Sequence, residues 1–186
     1  MNRSSLDKLI SSAGLIVAVV LLAASGGLFY AHAFIHNQVH DQLAAQRITF
    51  PAKESESLNA LPAADKDAVS PYAGMQLTNG KQAKVFADNY IAVHLQKIGG
   101  GKTYAQLSAA SLADPSNTQL AAQVNTVFKG ETLRGLLLNA YAFDTMATVA
   151  YIAAIGALAA SAVLFILVIL GFNHARYAKK TSKKRK

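Results

Sequence analysis

The chain has 186 residues, 52% of them hydrophobic, and a formal net charge of +8. That length holds one two-span membrane unit and one modest domain, and no large multidomain assembly. With no cysteine in the sequence, disulfide staples, thiolate chemistry and lipidation at cysteine are all excluded.

Residues 1–8 carry Arg3 and Lys8 against Asp7. Residues 9–35 then contain no Asp, Glu, Lys or Arg. A hydrocarbon core of about 30 Å needs roughly 20 apolar helical residues, so residues 9–35 read as a first transmembrane helix. Ser4 or Ser5 is a suitable cap for it, with Asp7 in the first turn where the helix dipole favours an acid. Phe29, Tyr30 and Phe34 fall where an interfacial aromatic belt belongs. Ala31-His32-Ala33 offers a cleavage pattern, but a signal peptide's apolar region is about 7–15 residues; the expectation is a retained anchor. The helix is expected to run on to Gln46.

Residues 36–144 read as an extracytoplasmic α-helical domain. Pro51 ends the first helix, and residues 51–80 read as an irregular loop draped on the domain. From Lys81, the residues Ala83, Phe86, Ala87, Tyr90, Ile91 and Leu95 recur at spacings of three and four, one apolar stripe of a helix ending at Ile98. Gly99-Gly100-Gly101 stops it. Asp114-Pro115 reads as the next helix start, Asp capping and Pro first. Gly130 is a point of interruption, after which residues 131–143 are again helix-prone.

Residues 145–172 are again uncharged and read as a second transmembrane helix. Gly14 with Ala18, Ala23 with Gly27, Ala153 with Ala157 and Gly156 with Ala160 put small residues four apart, a spacing that suits close helix contact. It fits the two spans packing on each other or self-association of the chain. The tail, residues 173–186, carries Arg176, Lys179, Lys180, Lys183, Lys184, Arg185 and Lys186 and no acid.

The charge is confined to the ends. Residues 36–144 hold nine basic and nine acidic side chains; the flanks hold nine basic and one acidic. Short Lys/Arg-rich segments stay cytoplasmic, so both termini are expected inside the plasma membrane. The tail is expected to meet anionic lipid head groups rather than nucleic acid.

Candidate chemistry is sparse. Gly99-Gly100-Gly101-Lys102-Thr103 resembles the end of a phosphate loop, but Gln96 stands where the pattern needs glycine. His32, His36 and His40 share a helix face and span about 12 Å, so two of them, with His94, form a candidate metal or ligand face. Asp65 with Asp67, and Glu54 with Glu56, read as solvated surface rather than an acid–base pair. No nucleophile-elbow signature accompanies any serine. Glu131 and Arg134 are three apart and can pair on a helix, a rim ion pair or a contact surface.

Residues 42–51, 82–87, 90–95, 100–104, 130–138 and 140–143 carry a resemblance. They include Arg47-Ile48-Thr49-Phe50-Pro51, Tyr90-Ile91-Ala92-Val93-His94-Leu95 and Gly130-Glu131-Thr132-Leu133-Arg134-Gly135. On these the chain resembles an uncharacterised family of two-span membrane proteins widespread in actinobacteria, some of them labelled aromatic ring-opening dioxygenase. The resemblance implies a cell-envelope location. That activity commonly needs two histidines and a carboxylate on iron, and the matched stretches hold one histidine, His94.

The expected fold is an all-α membrane protein: an antiparallel two-helix transmembrane hairpin with a small extracytoplasmic cap of two or three helices. The expected function is non-enzymatic and needs no cofactor: a scaffold or accessory subunit of a membrane complex, partnered by another membrane protein or by itself. The alternative is an extracytoplasmic ligand- or metal-binding sensor using His94 and the His32/His36/His40 face.

Overall fold

The four prolines stand at 51, 62, 71 and 115, and the two longest helices lie before the first and after the last of them. The computed structural model describes residues 3–184, with side chains over residues 4–177. The head-group-binding expectation for Lys179, Lys180, Lys183, Lys184, Arg185 and Lys186 lies outside those side chains. Helix α1 is Arg3–Gln46, α2 Glu56–Asn59 and α3 Ala63–Val69, the last followed by a 3-10 turn at Ser70–Tyr72. Helix α4 is Gly80–Val85; a π-helical segment, Phe86–Ile91, joins it to α5, Ala92–Ile98. Helix α6 is Tyr104–Ala113 and α7 is Thr118–Lys184. Among the described residues every regular element is helical, and one isolated bridge joins Thr49 and Gln76. Helices α1 and α7 are both long and apolar enough to cross a membrane.

The chain divides into two compact units, Met1–Phe34 with Ala147–Lys186, and Ile35–Met146. In the first unit the contact seam is made of small residues seven apart. Ser11, Ala18 and Ser25 are buried on α1; Ala147, Ala154, Ser161, Val168 and Ala175 are buried on α7. A seven-residue repeat keeps one face of each helix against the other. Hydroxyls cross the seam: Ser4 donates to the Ala175 carbonyl (3.1 Å), Ser161 to Ala18 (2.8 Å) and Ser25 to Ala154 (2.9 Å). Across these three bonds the α7 number falls as the α1 number rises. Of the small-residue pairs expected from four-residue spacing, Gly14 and Ala18 lie on this seam, where a Cβ on Gly14 would stand 3.1 Å from Val168. Gly27 and Gly156 meet nothing within 4 Å, and Ala153 and Ala160 are exposed. The contact repeat is therefore the heptad rather than the four-residue step.

The second unit closes on large side chains. Val39 and Leu43 of α1, Phe50, Phe86, Ile91, Leu95 and Leu137 of α7 form one buried cluster. The expectation of a draped loop over residues 51–80 is corrected here: Leu58, Leu61, Val69 and Leu77 from that stretch are buried in the same cluster. Short helices α2 and α3 carry two of them, Leu58 and Val69, with Ser55 capping α2 by accepting from the Leu58 amide at 3.3 Å. The amides of Phe50 and Leu77 bond the carbonyls of Met75 and Ile48 at 2.9 and 2.8 Å, tying the two ends of the stretch together.

Three further boundaries differ from expectation. Asp114-Pro115 does not open a helix; Asp114 is the C-cap of α6, and Asn117 caps α7 by accepting from the Leu120 amide at 3.0 Å. Gly130 does not interrupt α7, because its missing side chain is where Leu95 packs. Helix α6 was not expected at all. It starts on a capping box in which Thr103 and Gln106 satisfy each other's backbone amides, a signal readable as Thr-x-x-Gln, and it buries Leu107.

Candidate functional site

The second unit holds two polar clusters that join α7 to its neighbours. The first centres on Asp144. Its Oδ1 lies 3.0 Å from His36 Nδ1 and its Oδ2 accepts the Gly80 amide at 3.2 Å. Gly80 opens α4, and its backbone comes so near Asp144 that a Cβ there would collide with the Asp144 side chain. The neighbouring donors at this helix start are also satisfied: Asn79 accepts from the Gln82 amide at 2.9 Å, and the buried Gln82 accepts from the Thr78 amide at 2.8 Å. Asp144 thus ties α1 and α4 to α7 with acceptor bonds that orphan helix-start amides require.

The second cluster centres on Asp88, in the π segment. Lys84 lies 2.6 Å away and the Arg134 guanidinium 3.2 Å away, while Arg134 also reaches Glu131 at 3.4 Å. Lys84 stands over the Tyr141 ring at 5.4 Å. Burial pushes the Asp88 carboxyl up, but hydrogen bonds and charge from Lys84 and Arg134 outweigh it and hold it below the ordinary carboxylate range. The bond to Asp88, with its charge, raises Lys84. A carboxylate held ionised between two cations makes a poor proton acceptor; it braces the π segment against α7.

The candidate histidines go to separate acceptors. His32 donates from Nδ1 to the Ala147 carbonyl at 2.9 Å, His36 meets Asp144, His40 meets Asp41 at 3.1 Å, and His94 donates to the Tyr90 carbonyl at 2.8 Å. Among the described residues no three His, Cys, Asp or Glu side chains gather as a metal would need. The glycine run is a helix end: the Gly101 amide bonds the Gln96 carbonyl at 2.9 Å with Gly100 and Gly101 at positive φ, and Thr103 caps α6. Asp65 accepts from Asn89 at 2.8 Å, and Asp67, Glu54 and Glu56 are exposed.

No family model, curated protein or solved structure matches this chain. The Glu131–Arg134 pair expected from spacing is present, with Asp88 as the further partner that spacing did not reveal. Lys84 and Asp88 stand four apart, which spacing alone could have flagged. Asp144 and His36 are 108 positions apart, and no local pattern announces them.

Proposed function

We propose that this chain is a plasma-membrane protein of the cell envelope, non-enzymatic, and a scaffold or accessory subunit of a membrane complex. Residues 9–35 and 145–172 cross the bilayer as an antiparallel hairpin, both termini are cytoplasmic, and residues 36–144 form an extracytoplasmic helical cap. The observation that carries the membrane placement is exposure. Only 17% of the most apolar stretch of either long helix is buried, and Ile16, Ile152 and Ile166 are each at least 60% exposed. A core helix of a water-soluble protein buries such residues; lipid takes them at no cost. Lys and Arg at both ends support the orientation. The resemblance to actinobacterial two-span proteins accords with it.

The non-catalytic role draws on the polar clusters, which consume their side chains in bracing helices. Carbonate washing of cells should leave the chain in the membrane pellet, and protease added to sealed cells should cut residues 36–144 and spare the C-terminal lysines. Affinity purification in mild detergent should recover a membrane partner or a second copy; recovering neither counts against the scaffold role. The sensor alternative would show as metal in elemental analysis of the purified protein.

A further inference from the structure

The part of α7 that belongs to the second unit leaves one face uncovered. Phe128, Thr132, Gly135, Asn139, Ala142 and Met146 recur at spacings of four and three, and all are exposed. That spacing is a heptad stripe, with Phe128, Gly135 and Ala142 in d positions and Thr132, Asn139 and Met146 in a positions. It lies on the far side of the helix from the buried Leu137. Leu136 and Phe143 flank it, and these two and Phe128 are each more than half exposed. No residue of the stripe is charged. Water disfavours such a face, and a patch of this kind marks a contact with another molecule. We propose that it pairs with the same face of a second copy of this chain, as a parallel two-stranded coiled coil. This rests on the two-span reading, which leaves residues 128–143 outside the bilayer and gives two copies the same orientation.

Three features select a second copy as the occupant. In a symmetric parallel pair each stripe position meets its own copy, so an uncharged stripe sets no like charges against each other. Asn139 holds an a position, and its amide both donates and accepts. Two copies of it pair across the axis, and a single asparagine at an a position fixes register and strand number. A different helix could cover the apolar area, but only a second copy is bound to bring an asparagine to Asn139. The stripe and its flanks expose roughly 500 Å² in each copy. A pair would bury about 1,000 Å², the size at which a specific interface begins.

The chain has no cysteine, so one introduced thiol can link only to its own copy. The test oxidises full-length single-cysteine variants in native membranes and reads the linked dimer on a non-reducing gel. Ala142→Cys is close in size to the residue it replaces and lies on the stripe. Leu112→Cys, at a position 79% exposed on α6, reports random collision. A disulfide needs close, well-aimed Cβ atoms, so Ala142→Cys should link at least about fivefold more than Leu112→Cys. Adding Asn139→Asp to Ala142→Cys sets like charges face to face and should lower the linked fraction about fivefold. Equal linking at the two cysteines, or linking unchanged by Asn139→Asp, overturns the proposal. Circular dichroism confirms that each variant keeps the wild-type helix content. Two measurements separate the failures. Recovery of another membrane protein but no second copy in affinity purification defeats the pairing and leaves the scaffold reading standing. Protein in the supernatant after carbonate washing defeats the membrane reading and the parallel pairing with it.

Discussion

The two units use opposite packing rules. The first joins its helices through Ala18, Ser25, Ala154 and Ser161, with Ile and Leu side chains turned outward. The second turns Leu58, Leu77, Phe86 and Leu137 inward. In water, burying large apolar side chains is the driving force; in lipid that force between helices is gone, and close backbone approach with a few hydroxyl bonds takes its place. On the membrane reading proposed above, the size of the contact residues tells the two solvents apart.

The largest expected effect tests that contrast directly. Leu77→Ala or Leu137→Ala should cost about 2–5 kcal/mol, read as loss of thermal stability by circular dichroism in mild detergent. Ile16→Ala or Ile152→Ala, equally apolar but outward, should cost under about 0.5 kcal/mol. Equal losses at the two kinds of site would erase the distinction.

Next is Gly80→Ala. The collision with Asp144 forces α4 away from α7, and about 1–3 kcal/mol should be lost. Gly135→Ala, which meets nothing within 4 Å on the same helix as Asp144, is the control and should be neutral or stabilising by up to about 1 kcal/mol.

A smaller effect is acid-dependent. Asp88 is held below its ordinary 3.8, so the unfolded chain binds that proton more tightly than the folded one. Its contribution is complete above that ordinary value and disappears as pH falls through the depressed one. With both cations partly exposed, it should be under about 1 kcal/mol. Asp88→Asn should flatten the acid limb of a stability–pH curve by that amount; an unchanged limb would remove Asp88 from the brace. The smallest is Ser25→Ala or Ser161→Ala, each about 0.6 kcal/mol in the first unit.

What was legible follows from what is local. The two long apolar helices show because charge is absent over residues 9–35 and 145–172, and the helix from Lys81 to Ile98 shows because Phe86, Tyr90 and Leu95 repeat on one face. Helices α2 and α3 were hidden because four and seven residues are too few to display a period. The π segment was hidden because the apolar stripe survives one wider turn. The helix start was misplaced at Asp114-Pro115 because Asn117, two residues on, offers the same capping chemistry. Of the polar clusters, Glu131–Arg134 and Lys84–Asp88 each lie about one helix turn apart; Asp144 gathers partners that only the folded chain brings near.

The seam of the first unit has a further consequence. Its teeth are nearly alike, so sliding one helix by a single notch, about 10 Å, would seat Ala18 on Ala154 and Ser11 on Ser161, but it would bring Leu164 to the place of Gly171, whose missing side chain makes room for Ser11. Serine would find another carbonyl to hold. The Asp7–His174 bond cannot be remade one notch away either, and with Leu164 it acts as the stop that tells one alignment from the next.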